Sequence, residues 1–341
     1  MSTATPVRRG RLRRADCAGP GIRRVRRGRG FSFEDESGET IADEETLERI
    51  RALAIPPAWK EVWVCPDPFG HIQATGYDDA GRKQYLYHSR WQKRRAERKF
   101  ELMREFAAKL PRLRRAVTAD LRRQGMPRER SLACAVRLLD LGFFRVGGEV
   151  YAEENESFGL ATVRRDHVTI KRNEIVFDFP AKSGQRRIQS IRDVAARRAL
   201  ETMYRRRSGP EDILAYRQGG EWRDVRSDDI NDYIKEQIGP DFSAKDFRTW
   251  HGTVLAALAL AGEESPPRSD AAAKRAIGRA VREVSEALGN TPAVCRASYI
   301  DPRVLDRYRD GVTIAPPQTR NGTLSAKARR KIERDLIALV S

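Results

Sequence analysis

The chain has 341 residues, 40% of them hydrophobic, and its 66 Lys and Arg against 48 Asp and Glu leave a net charge of +18. The length accommodates two domains, and the charge favours an anionic polymer or an acidic membrane surface as partner. No apolar run approaches the roughly 18–20 residues of a membrane span, no secretory leader pattern is present, and four scattered cysteines and four histidines lack disulfide-framework or metal-ligand spacing.

Residues 6–30 hold ten arginines and one acid, Asp16, which is half of the net charge. Glycine interrupts them without an apolar period, so 1–30 reads as a disordered basic tail. FSFEDESGETI (31–41) reads as strand–turn–strand around Ser37-Gly38. A short helical stripe, Leu47, Ile50 and Leu53–Ile55, stops at Pro56-Pro57. Residues 62–88 read as three short strands, the last with Tyr85 and Tyr87 on one face and Gln84 and His88 on the other. From about 90 the pattern turns helical, which sets a boundary near 98. SLACAVRLLDLGFFRVGGEVY (131–151) predicts an apolar helix and then a glycine-rich turn. Residues 167–191 predict a three-stranded meander, with turns at Arg172-Asn173 and Lys182-Ser183-Gly184. The remainder reads as mainly helical. Ile277, Val281, Val284 and Leu288 recur at helical spacing, and LSAKARRKIERDLIALVS closes the chain as an amphipathic helix.

LGNTPAVCRASYIDPRV (288–304) holds a short helix bounded by Thr291-Pro292 and Asp301-Pro302. It carries one tyrosine, Tyr299, in its last turn, beside Arg296. The sequence has no Asp/Glu/His cluster of the nuclease kind and no GxxxxGK[ST] phosphate loop. Chemistry at a phosphodiester would then need neither metal nor nucleotide. It would need a nucleophile, cations for the non-bridging oxygens, and an acid for the departing oxygen. A tyrosine phenol, with a pKa of about 10, serves as nucleophile only in cationic surroundings. Two arginines stand in unusual apolar contexts, Arg145 in LGFFRVGGEVY and Arg248 in SAKDFRTWHGT. Each would pair with a nearby carboxylate or hold an anionic ligand.

FFRVGGEVYAEENESFGLATV, FDFPAKSGQRR, AKDFRTWHGT and LGNTPAVCRASYIDP follow one another in order. Together they resemble the active-site boxes of the type IB DNA topoisomerases, in their short poxvirus-like and bacterial form. FSF…IRALAIPPAWKEVWVCPDPFGHIQATGYDDAGRKQYLYH resembles the N-terminal domain of that family, so the resemblance runs from about 31 to 310. It implies relaxation of positive and negative supercoils by single-strand cleavage through a 3′-phosphotyrosyl link and religation, with no metal, nucleotide or other cofactor. By position, Tyr299 is the nucleophile, Arg145 and Arg248 hold the scissile phosphate, and Lys182 protonates the 5′-oxygen. Nine residues before the tyrosine, where many members have histidine, stands Asn290. Its amide donates a hydrogen bond but can become neither cation nor base. Gln84, Tyr85 and Tyr87 match the strand that the family lays in the major groove, where glutamine reads adenine edges.

The expected fold is α+β. A β-rich N-terminal DNA-clamp domain (31–98) follows the tail, and a mostly helical catalytic domain (99–341) of the tyrosine recombinase/type IB topoisomerase fold carries the antiparallel meander. A monomeric, cytoplasmic, nucleoid-associated enzyme acting on double-stranded DNA, away from membranes, follows from this resemblance. Two alternatives stand beside it. A tyrosine recombinase typically has HxxR at the second arginine, where this chain has Lys245-Asp-Phe-Arg248. A catalytically silent DNA-binding protein would fail a plasmid relaxation assay.

Overall fold

The computed structural model describes residues 10–149, 152, 156–263, 266–316 and 325–341. The chain divides into two compact units, Met1–Lys99 and Phe100–Ser341.

The first unit is built on a five-stranded sheet in the order β2-β1-β3-β4-β5. Its strands are β1 (Ile22–Arg27), β2 (Gly30–Glu34), β3 (Lys60–Val64), β4 (Ile72–Tyr77) and β5 (Lys83–Tyr87), all paired antiparallel. Helix α1 (Glu44–Ala52) starts where the Asp43 carboxylate accepts the Thr46 N–H. Its Ile50 closes a core with Ile22, Val62, Val64 and Ala74.

The arginine-rich segment is not a disordered tail over its described part. Residues 22–27 form β1, which lies between β2 and β3. Ile22 is buried, and Arg24 donates to the Pro56 carbonyl at 3.0 Å and stacks over the Phe31 ring. Arginine stems cover apolar surface while their heads satisfy carbonyls, so a charge run is able to act as a strand. Further upstream, Arg13 pairs with Gly70, and the Ala15 N–H donates to His71 Nδ1. Residues 1–9 of the expected tail lie outside the described residues. The strand–turn–strand reading of 31–41 is corrected as well. β2 pairs with β1, and 39–41 adds only a bridge between Glu34 and Thr40, flanked by bonds from the Asp35 N–H to the Glu39 carbonyl and from the Ile41 N–H to the Phe33 carbonyl.

Helix α2 (Ser89–Asp120) contains the division between the units. Within the second unit, α3 (Arg128–Leu141) is buried along most of its length. A three-stranded antiparallel sheet follows, β6 (Val168–Ile170), β7 (Ile175–Ala181) and β8 (Gln185–Ile191), in that order. On β7, Ile175, Phe177, Phe179 and Ala181 alternate inward. Then come α4 (Val194–Tyr204), the hairpin β9 (Ala215–Gln218) with β10 (Glu221–Asp224), and α5 (Ser227–Ile238). The stretch after β8 is mainly helical, as its pattern predicts, and this hairpin is an addition to that reading. Gly219 and Gly220 both take positive φ at its turn, a dipeptide signal that sequence reading passed over.

The centre of the unit is α6 (Ala244–Ala261), which buries Phe247, Arg248, Trp250 and His251. Helix α7 (Asp270–Leu288) buries Ile277, Val281, Val284 and Leu288, the stripe predicted from spacing. The short helices α8 (Pro292–Ser298) and α9 (Pro302–Arg309) follow. The closing helix α10 (Ala326–Leu339) is tied down by ion pairs. Arg114 on α2 bonds both Asp140 on α3 and Glu333 on α10, and Arg329 bonds Asp140 at 2.8 Å. Burial alone would raise Asp140, but Arg329 and Arg114 overrule it and hold the carboxyl at about 2. Removing one partner from such a buried set typically costs about 3–5 kcal/mol.

Candidate active site

Arg145, Lys182, Arg248 and Tyr299 line one cleft of about 350 Å³ in the second unit, together with Lys245, Phe158 and Ser157. Each comes from a different element. Arg145 lies in the irregular segment after α3. This segment is held where the Leu160 and Ala161 N–H groups donate to the carbonyls of Arg145 and Val146. Here Gly147, at φ +89°, packs so closely on Gly159 that a Cβ on Gly159 would stand 2.3 Å from the Gly147 Cα. Lys182 opens the single turn joining β7 to β8 and is exposed.

Tyr299 is the C-cap residue of α8, one position beyond the last turn in which sequence reading placed it. Its helix begins as expected, with Thr291 Oγ1 accepting the Val294 N–H and proline at the first position. Asp301 belongs to the next helix, which it caps. The tyrosine backbone presses on α6 at Gly252, where a Cβ would lie 2.5 Å from the Tyr299 carbonyl oxygen. The cation beside the phenol ring is Arg248, whose Cζ lies 5.1 Å from the ring centroid. Arg296, adjacent in sequence, is exposed and does not line the cleft.

Arg248 is only 3% exposed. Its Nη1 donates to the Phe143 carbonyl at 2.7 Å and its Nη2 to the Leu288 carbonyl at 2.8 Å. Its Nε is buried without a partner. Among the described residues no carboxylate pairs with it, so its charge is solvated by backbone dipoles and not cancelled. Arg145 donates to the Gly289 carbonyl at 2.7 Å and to Asn290 Oδ1 at 2.6 Å. An arginine offers only donors, which orients the amide with its oxygen toward Arg145. Asn290 Nδ2 is left buried without a hydrogen-bond acceptor, although the Cys295 sulfur, a weak acceptor, interacts with this side chain. Burial pushes the Cys295 thiol up. In this arrangement Asn290 braces an arginine, a contact not foreseen from its amide chemistry.

A third guanidinium, which sequence reading missed, joins the group. Arg187 on β8 donates to the Glu286 carbonyl at 3.1 Å and to the Ala287 carbonyl. Burial, then Arg248 and Arg145, lower its pKa from the ordinary value. Four successive carbonyls at the end of α7, from Glu286 to Gly289, thus each accept from an arginine. A helix C-terminus suits this, because its last carbonyls lack helical partners and carry the negative end of the dipole. The available signal was strand alternation, which places Arg187 opposite the inward Phe179.

In the first unit, Tyr85 and Tyr87 stack with ring centroids 6.1 Å apart, and Arg95 lies over the Tyr87 ring. Tyr85 is 42% exposed. Gln84 has the opposite parity on the strand, and its Nε2 donates to Asp78 Oδ2 at 2.9 Å. The three residues therefore share a strand but not a face. Among the described residues no three His, Cys, Asp or Glu side chains are grouped as for a metal ion, and no helix is long and apolar enough to cross a membrane.

A phenol under a buried, uncancelled guanidinium, with a second arginine and an exposed lysine on the same cleft, is chemically able to hold a tetrahedral anion beside a nucleophile. Comparison with known proteins gives the family. Residues 88–320 match the family described as eukaryotic DNA topoisomerase I, catalytic core, and residues 30–78 match bacterial DNA topoisomerase IB, N-terminal domain. The DNA topoisomerase 1B of Acanthamoeba polyphaga mimivirus is 31% identical over 294 residues, which cover 82% of this chain and 84% of the relative. The DNA topoisomerase 1B of Vaccinia virus (strain Western Reserve) is 24% identical, over 79% of this chain and 83% of its own. The chain belongs to the type IB DNA topoisomerases.

Proposed function

We propose that this protein relaxes both positive and negative supercoils in double-stranded DNA by transient cleavage of one strand. Tyr299 attacks the scissile phosphorus and forms a 3′-phosphotyrosyl link. Arg145 and Arg248 neutralise the charge that grows on the non-bridging oxygens. Lys182 gives a proton to the departing 5′-oxygen, and the reverse sequence reseals the strand. Asn290 acts through Arg145, whose guanidinium it holds. No step requires ATP or a metal ion. The second unit supplies the catalytic fold shared with tyrosine recombinases, and the β5 strand of the first unit, with Gln84, Tyr85 and Tyr87, contacts the duplex. The protein works as a monomer on cytoplasmic, nucleoid DNA.

The observation that carries this reading is Arg248. A guanidinium 3% exposed, held by two carbonyls and no carboxylate, is costly unless an anion arrives. It stands over the ring of the tyrosine proposed to attack that anion. Relaxation of plasmid of either handedness in EDTA without ATP is the expected result. Tyr299→Phe should bind duplex as the parent does and form no protein-linked DNA on a denaturing gel. An adduct formed by Tyr299→Phe, or an absolute need for Mg²⁺ or ATP, would overturn the mechanism.

A further inference from the structure

Lys182 stands on a two-stranded projection, and its reach depends on how that projection is held. Two side chains on one face of β8 hold it. Arg187 and Gln189 lie opposite Phe179 and Phe177 of β7, on the inward face. Gln189 Oε1 accepts the Phe143 N–H at 2.9 Å, and the carbonyl of the same Phe143 accepts from Arg248. Arg187 reaches the Glu286 and Ala287 carbonyls at the end of α7, the helix end that Arg145 and Arg248 also grip. Arg187 is five residues from Lys182 along the outgoing strand, and the Glu286 and Ala287 carbonyls it grips lie four and three residues before Asn290.

Capping does not explain this arginine. The end of α7 is already closed by left-handed Gly289, whose N–H returns to the Glu286 and Ser285 carbonyls. A third guanidinium in this place is costly: burial first, and then the charges of Arg248 and Arg145, lower its pKa. Its side chain gives two donors to two successive carbonyls, a two-pronged grip that fixes direction as well as distance.

We infer that Arg187 is a positioning residue that docks the Lys182 hairpin on the C-terminal end of α7, and so sets the general acid against the leaving oxygen in register with Tyr299. The inference rests on the role proposed above for Lys182. Arg187 is assigned no contact with the phosphate. Its effect passes through the proton that Lys182 delivers.

The test compares single-turnover cleavage by the full-length protein on two duplexes. One is ordinary, and the other has sulfur in place of the bridging 5′-oxygen, a leaving group that needs little protonation. Arg187→Ala should cleave the ordinary duplex roughly 10²-fold slower, the size of effect expected from a misplacement of about 1 Å. On the sulfur duplex it should recover to within about tenfold of the parent. The double variant with Lys182→Ala should be no slower on the ordinary duplex than Lys182→Ala alone, since both act on one proton transfer. Equal slowing on both duplexes, unchanged rates on both, or additive loss in the double variant would overturn the inference. If Arg187→Ala lowers thermal stability enough to blur the comparison, Arg187→Lys provides the same readout. It keeps the charge with a single-pronged head, and a ratio between the two duplexes equal to the parent's would overturn the inference. Lys182→Ala, measured alongside, separates the two levels. Its failure to recover on sulfur would remove the acid assignment, whereas its recovery without that of Arg187→Ala would remove only the docking role.

Discussion

Replacing Asn290 by alanine separates what this side chain does for folding from what it does for cleavage. The change removes the bond from Arg145 to Oδ1, 2.6 Å long and charge-assisted. Such bonds contribute about 1.5–3 kcal/mol. It also removes Nδ2, a buried donor with no oxygen or nitrogen acceptor and only the weak Cys295 sulfur beside it, whose burial costs about 1–3 kcal/mol. The two effects oppose each other, and Arg145 keeps its bond to the Gly289 carbonyl. Net stability should move by no more than about 2 kcal/mol, or roughly 4–8 °C in a unit of this size. Cleavage should respond differently. A guanidinium no longer held on one side loses preorganised charge at the non-bridging oxygens, and one transition-state contact of that kind is worth about 10²-fold. Single-turnover cleavage of an end-labelled duplex at saturating enzyme, beside thermal unfolding, measures both. Asn290→His, able to accept from Arg145 and to donate, should cleave at least as fast as the parent. Unchanged cleavage in Asn290→Ala would make Asn290 a loop residue before the helix cap. A fall in Tm beyond about 10 °C would refute the offset argued from its two halves.

Gly252→Ala would set a methyl group 2.5 Å from the Tyr299 carbonyl oxygen and 3.0 Å from its Cβ. Overpacking of that kind costs about 1–3 kcal/mol, and the displaced tyrosine should form adduct much more slowly while duplex affinity holds. Parent-like adduct formation would show that Tyr299 tolerates a shift from α6. Stability should also fall in mild acid. Burial, then Arg329, push buried His251 down to about 4. A histidine depressed in the folded state favours folding above its unfolded pKa of about 6.5 and loses that contribution as pH falls toward 4, about 3 kcal/mol in all. Asp140, held at about 2, contributes nothing to this window, because its stabilisation is lost only below about 3.8. Urea unfolding between pH 7.5 and 4.5 should show a shallower slope for His251→Phe than for the parent, and identical slopes would refute the assignment.

Much of this protein was legible in its residues alone. Thr291-Pro292 opens a helix because a hydroxyl caps it and proline fits its first position, whatever surrounds it. The stripe Ile277, Val281, Val284 and Leu288 is buried because period alone puts those positions on one face. The ordered boxes around Arg145, Lys182, Arg248 and Tyr299 pointed to one site, and the four side chains do line one cleft. The misread parts share a cause. Residues 22–27 looked like a charge run, and they form a strand because Ile22, and Arg24 with carbonyl partners more than thirty positions away, find their places only in the folded sheet. Asn290 looked like a donor, and its orientation was decided by Arg145, a residue far away in sequence. Arg187 carried no local signal of its partners, because the two carbonyls it holds at the end of α7 lie 99 and 100 positions away. Caps, periods and turns depend on neighbours within a few residues, so the sequence expresses them directly. The partner of a long side chain is whichever group the fold brings within about 3 Å, and only the tertiary structure decides which group that is.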